Sequence, residues 1–364
     1  MRTSLILLLL AGCSSCHQEP APQTPSTSNE TPEAPAPDYE VHEWGLINVA
    51  EEGAELAAGP GQPDLIQDLG MQGFGKPVLY FHLAEGSPDF DARVGVNLRS
   101  FLLGEHYPPA EGSGRTIHWE GHLAREACTA ERTYPTAEEC PVTQDGYCET
   151  AELAEYETPD HSCFHIGDAE WPLLFYRGVP GESRPPLPLT LNVDAGSATA
   201  IRSADAAETL GKVWYMVDQE VRAIVDWPAP GETVNLEGAA PTDPRASMHA
   251  ELLEHGLTEE EAQAFGRAWY DELFGTQGGT LGLQGTGRGG GGVGEETIGL
   301  GNGVNGDTPG LVGRGGYFAV PAAVHRLVYW LPASQHDAMA ELTFEPAPSV
   351  VRRATLVRDR ASSR

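Results

Sequence analysis

Along the chain, short runs of alternating apolar and polar residues recur between turns rich in glycine, proline and aspartate. Residues 39–49 (YEVHEWGLINV) alternate and predict a strand carrying His42-Glu43-Trp44-Gly45. Further strands are predicted at 77–83, 92–98, 116–119, 171–176, 187–193, 212–217 and 221–227, then at 318–331, 340–344 and 350–357. The period changes after residue 242. Asp243 and Pro244 read as an N-cap and a first-turn proline, and Gly256 as a stop. Thr258-x-x-Glu261 then spells a capping box, with Leu257 and Ala262 placed as a staple. Ala262, Phe265, Trp269 and Leu273 follow at helical spacing, a stripe that predicts core contact, and Gly275 closes the helix. The predicted fold class is mainly β, with sandwich-like antiparallel sheets and a C-terminal helix pair at 243–275. A single domain is expected over 39–358, with a short tail at 359–364.

Two segments lack either period. Residues 14–38 carry six prolines, many Ser and Thr and almost nothing apolar, the composition of a disordered, extended tether. Residues 275–316 hold 19 glycines and cannot build a core, so they read as a glycine-rich loop inserted between packed elements.

Charge narrows the function classes. The 364-residue chain has Lys+Arg 22 against Asp+Glu 53, a formal net charge of −31. Such a surface is repelled by phosphate backbones, which argues against nucleic acid as a partner.

The N-terminus sets the expected address. Arg2 precedes an apolar run, Leu5 to Leu10, too short to span a bilayer, and Leu10-Ala11-Gly12-Cys13 follows. This resembles a bacterial lipobox, in which 1–12 is the signal peptide and Cys13 becomes the lipidated first mature residue. Membrane attachment through a palmitate-bearing lipid anchor is therefore expected. Ser14, where an aspartate would favour inner-membrane retention, points to the outer membrane of the cell envelope. Cys128, Cys140, Cys148 and Cys163 cluster inside an exported chain, which implies two disulfides. The nested pairing Cys128–Cys163 and Cys140–Cys148 is preferred, stapling a loop at 123–170. Cys16 is left over.

Candidate chemistry rests on histidines. His118, Glu120 and His122 share one face of the predicted strand, but its ends lie about 13 Å apart, so one ion takes adjacent members only. His161 and His165 lie inside the cysteine window, and these five residues are the candidate ligands for a divalent metal. Solvated polar residues on an acidic loop would look the same. His42 and Glu43 are adjacent on a strand and point to opposite faces, which argues against a joint acid–base role. Gly70-x-x-x-x-Gly75-Lys76 lacks the following Ser or Thr and helix of a phosphate loop, and the two G-x-G-x-x-G matches fall in the glycine tract. No catalytic residue is assigned and no cofactor is required.

His42-Glu43-Trp44-Gly45, Lys76 to Phe81 (KPVLYF), Phe175 to Val179 (FYRGV), Gly256 to Ala262 (GLTEEEA) and Leu327 to Pro332 (LVYWLP) occur together in this order. In this the chain resembles a family of exported, lipid-anchored bacterial proteins of myxobacterial and planctomycete type. The resemblance spans most of 41–358 and carries no catalytic residue with it. The expected function is a non-catalytic binding or structural role at the cell envelope, with an envelope protein or glycan as partner. The alternative is a metal-dependent or acid–base hydrolase in the periplasm or at the cell surface.

Overall fold

The computed structural model describes residues 36–49, 73–130, 134, 150–180, 187–194, 197–204, 211–275 and 323–360. These all fall within one unit, Ala36–Arg364. The signal and lipid-anchor positions including Cys13, the pair Cys140 and Cys148, and nearly all of the glycine tract lie outside the described residues.

The body is mostly β, built on an eight-stranded sheet. Its order is β13 (Glu220–Val225), β12 (Val213–Val217), β15 (His325–Trp330), β17 (Val350–Arg360), β1 (Tyr39–Val49), β2 (Gly73–Leu83), β9 (Leu174–Pro180) and β4 (Phe101–Tyr107). All pairings are antiparallel except the central one, where β1 and β17 run parallel with His42 opposite Arg352 and Glu43 opposite Arg353. One face of this sheet packs on two smaller sheets. The first has the order β16 (Ala340–Glu345), β3 (Phe90–Leu98), β6 (Thr116–Ala124), β7 (Cys163–Ile166) and β8 (Ala169–Trp171), with the short β5 (Glu111–Ser113) paired to β6. The second has the order β10 (Leu189–Asp194), β11 (Ser197–Arg202) and β14 (Thr233–Asn235). The opposite face is covered by α1 (Pro244–Glu254) and α2 (Glu259–Phe274).

The large sheet is thus a middle layer, and β1 shows the consequence. Val41 and Ile47 point into the sandwich core with Val94, Trp119 and Phe164, whereas Trp44 and Leu46 point into the helix-side core with Phe265 and Trp269. Both faces of β1 are buried, so its polar positions His42 and Glu43 are carried into the two interiors. Each fully buried large apolar side chain stabilises by roughly 1.5–3 kcal/mol, which makes Trp44, Trp119, Trp214 and Trp330 major contributors.

The helix signals act as the sequence implies. Asp243 accepts from the Ala246 N–H, Pro244 occupies the first turn, and Gly256 takes the left-handed backbone with φ +85°. Thr258 and Glu261 form a reciprocal capping box. Several elements differ from the sequence expectation. The run 171–176 divides into β8 and β9 at Pro172, which has no N–H for a ladder. A third helix, α3 (Ala333–Met339), has no side-chain cap to announce it. β17 runs to Arg360, so Asp359 and Arg360 pair with Leu327 and Arg326 of β15 instead of forming a tail.

Cys128 and Cys163 are disulfide-bonded. Cys163 opens β7, opposite Ala124 at the end of β6, so the bond ties the chain leaving the small sheet to the chain re-entering it.

Candidate functional site

Strands β1 and β2 pair so that His42 faces Tyr80 and Glu40 faces His82. His42 and His82 are therefore diagonal neighbours on the helix side of the sheet, their ring centroids 4.3 Å apart. The capping box of α2 brings the third member. Glu261 sits at the third helical position, and its Oε2 accepts the Thr258 backbone N–H at 2.9 Å. The rest of its carboxylate points at the two imidazoles: His42 Nδ1 lies 2.8 Å from Oε2, and His82 Nε2 lies 2.8 Å from Oε1.

Each outward ring nitrogen also meets an acceptor. His82 Nδ1 lies 3.0 Å from the Asp160 carbonyl oxygen, and His42 Nε2 lies 3.4 Å from Glu40 Oε2. Glu40 is held in turn by Arg352 Nε at 2.9 Å. Glu261 is wholly buried and His82 retains some exposure, so the cluster lies at the margin of the helix-side core. Burial by itself would raise the Glu261 pKa, but the hydrogen bonds and charges of His42 and His82 outweigh it and hold the carboxyl at about 2. Burial opposes a charge on His82, and the Glu261 carboxylate and Asp160 reverse this and raise its pKa.

On the opposite face of β1, Glu43 anchors a second cluster. Tyr176 Oη donates to Glu43 Oε1 at 2.5 Å, and Arg353 Nε donates to Oε2 at 2.5 Å. Arg353 also reaches Asp337 Oδ1 at 2.6 Å and donates to His336 Nε2 at 3.0 Å. His336 is fully buried, and burial, reinforced by the Arg353 charge, keeps it well below the ordinary imidazole range. It is therefore neutral, and its Nδ1 donates to Thr355 Oγ1 at 3.1 Å. The members satisfy one another, which suits a structural tie between β1, β9, β17 and α3.

The five candidate ligands read from the sequence lie elsewhere. His118 and Glu120 share the outer face of β6, 3.8 Å apart, and His118 also approaches Glu111 at 3.3 Å. His122 pairs across the strands with His165, their rings 6.4 Å apart, and contacts Asp91 at 3.0 Å. His161 is buried beside Ser162 at the entry to β7. Of these, His118 and Glu120 are brought together and His122 and His165 are brought together, as two separate surface pairs.

Among the described residues, two trios place metal-ligand atoms within 4.8 Å of one another: His42, His82 and Glu261, and Cys128, Cys163 and Glu170. In the second trio both sulfurs are committed to the disulfide. The sequence contained one sign of the first trio, since a capping-box glutamate and a strand histidine were both legible. Their meeting was not legible, because 219 residues separate His42 from Glu261.

Beside the disulfide lies an open groove of about 450 Å³, rimmed by Asp89, Arg125, Glu126, Thr129, His165 and Glu170. Glu170 Oε2 accepts from the backbone N–H of Thr129 at 2.6 Å and of Ala130 at 3.0 Å, which pins one wall. Among the described residues, no helix is long and apolar enough to cross a membrane. No protein-family model and no curated protein matches this chain.

Proposed function

We propose that this chain is a lipid-anchored cell-envelope protein whose β-rich body has a non-catalytic binding role. The address rests on the short apolar run ending in Leu10-Ala11-Gly12-Cys13 and on the proline-rich segment behind it. The observation that supports the role is the open groove at the Cys128–Cys163 staple, whose rim carries Asp89, Glu126 and Glu170 beside Arg125 and His165. Its rim suits an envelope protein or glycan presenting hydroxyl, amide and cationic groups, and the chain's acidity disfavours nucleic acid. The alternative, a metal-dependent or acid–base hydrolase, is favoured among the described residues by the His42–His82–Glu261 junction.

Two measurements test the reading. Cys13→Ala should abolish palmitate labelling and release the protein from the membrane fraction; unchanged fractionation and labelling would overturn the address. Co-sedimentation of the purified body with envelope glycan and with solubilised envelope proteins should be weakened by Asp89→Lys and Glu126→Lys. Binding indifferent to both substitutions would remove the groove from the proposal.

A further inference from the structure

The His42–His82–Glu261 junction contains a mismatch between donors and acceptors. Four ring nitrogens face four acceptors: Glu261 Oε2 and Glu40 Oε2 for His42, Glu261 Oε1 and the Asp160 carbonyl for His82. A neutral imidazole has one N–H, so two neutral rings can satisfy only two of those contacts. When each outward nitrogen carries the N–H, both inward nitrogens present lone pairs to the same buried carboxylate, a contact that no hydrogen fills. The two rings are tilted by 41° with centroids 4.3 Å apart, so their inward nitrogens converge on one carboxylate. One dication placed among these atoms satisfies both lone pairs and the carboxylate together. Each ring then donates outward to Glu40 or the Asp160 carbonyl and turns its inward lone pair to the ion.

We propose that His42 Nδ1, His82 Nε2 and a Glu261 carboxylate oxygen bind a divalent transition-metal ion, with zinc the best chemical match. The donor set is two imidazole nitrogens and one carboxylate, which zinc accepts readily and which magnesium and calcium, preferring oxygen, do not. In a tetrahedral zinc site with metal–ligand bonds near 2.05 Å, ligand atoms lie about 3.3 Å apart. The ligand atoms here fall within 4.8 Å of one another, with the closest at 2.8 Å, so small side-chain rotations bring them to that spacing.

The outer contacts are those a metal site needs. Ligating histidines characteristically donate their second nitrogen to a carboxylate or a backbone carbonyl, which fixes ring orientation and raises basicity. Glu40 does this for His42, and the Asp160 carbonyl does it for His82. Arg352 steadies Glu40, and the Thr258 N–H steadies Glu261. The ion would join β1 and β2 to the first turn of α2, clipping the helix layer to the sheet. Three protein ligands leave at least one position for solvent, and His82 lies on the side that is partly exposed. The site is independent of the groove, so it stands or falls apart from the envelope-binding role.

The test uses the full chain with its disulfide intact. Protein stripped by a chelator, exposed to zinc chloride and dialysed should retain one zinc per chain, and added zinc should raise its melting temperature by several degrees. His42→Ala and His82→Ala should each weaken zinc binding at least a hundredfold. Glu261→Gln keeps a capping-box side chain, so the helix start survives while zinc affinity falls at least tenfold. Glu40→Gln, a change outside the ligand set, should cost roughly tenfold. A His122→Ala, His165→Ala double variant should bind zinc like the parent. The proposal is overturned if the parent retains no zinc, if His82→Ala and Glu261→Gln both retain it unchanged, or if only the His122–His165 variant loses it.

Discussion

His42 and Glu43 are bonded neighbours that serve opposite sides of the same strand. His42 leaves β1 toward the helices and meets Glu261 at 2.8 Å; Glu43 leaves toward the sandwich and meets Arg353 at 2.5 Å. Both side chains are buried, and each is held by a partner more than 200 residues away, with separations of 219 and 310 residues. His42 therefore ties the middle sheet to the helix layer, whereas Glu43 ties β1 to its own sheet-mates β9 and β17 and, through Arg353, to α3.

The Glu43 cluster should behave as an obligate pair. Glu43→Ala removes the carboxylate that pairs with the fully buried Arg353 guanidinium, and loss of one partner of a buried pair costs about 3–5 kcal/mol. Glu43→Ala combined with Arg353→Met should be less destabilised than Glu43→Ala alone, because the orphaned charge is gone. Urea unfolding of the two variants checks this; equal or greater loss in the double variant would contradict it.

His255 should give the protein an acid-side weakness. Burial lowers its pKa from 6.5 to about 4, and its Nε2 has no hydrogen-bond partner among the described residues. The unfolded chain holds the proton more tightly than the folded one. The associated stability is complete above pH 6.5 and is lost as pH falls from 6.5 toward 4, by up to about 3 kcal/mol. His255→Phe retains a ring against Trp330, whose centroid lies 4.7 Å away. Its unfolding free energy should be flatter than the parent's across that window, and parallel profiles would exclude the effect.

The staple closes a sequence separation of 35 residues. Replacing Cys128 and Cys163 together by Ser should lower stability by roughly 2–4 kcal/mol, chiefly by freeing the unfolded chain. Reducing the parent protein should produce a shift of similar size in denaturant midpoint. No shift in either experiment would mean the bond does not constrain the unfolded ensemble.

Gly121, in the middle of the His118–His122 segment, is set by packing. A Cβ there would stand 2.3 Å from the His165 carbonyl oxygen and 2.5 Å from Phe164 Cε1 on β7. Gly121→Ala must push β6 and β7 apart and should cost about 1–3 kcal/mol, visible as a lower melting temperature. An unchanged melting temperature would mean that β7 moves aside freely.

The sequence by itself determined the local structure. Alternation in 39–49 and 350–357 encodes strands, and Asp243-Pro244 and Thr258-x-x-Glu261 encode helix starts, because each depends on residues within one turn or one strand. The cysteine window leaves and rejoins a strand frame, which favours a nested pairing, and Cys128–Cys163 is its outer bond. Opposite orientation of His42 and Glu43 also followed from the two-residue period of a strand. Close spacing makes His118, Glu120, His122, His161 and His165 stand out in the sequence, although the fold does not bring them to one point. Only the tertiary structure decided that the middle sheet has two buried faces, that β1 and β17 pair in parallel, and that α2 lands where its capping glutamate meets His42 and His82. These outcomes depend on which surfaces exclude water together across the whole chain. Such contacts leave no periodic mark in the segments that make them, so Glu261 reads as a helix cap until β1 and β2 are seen beneath it.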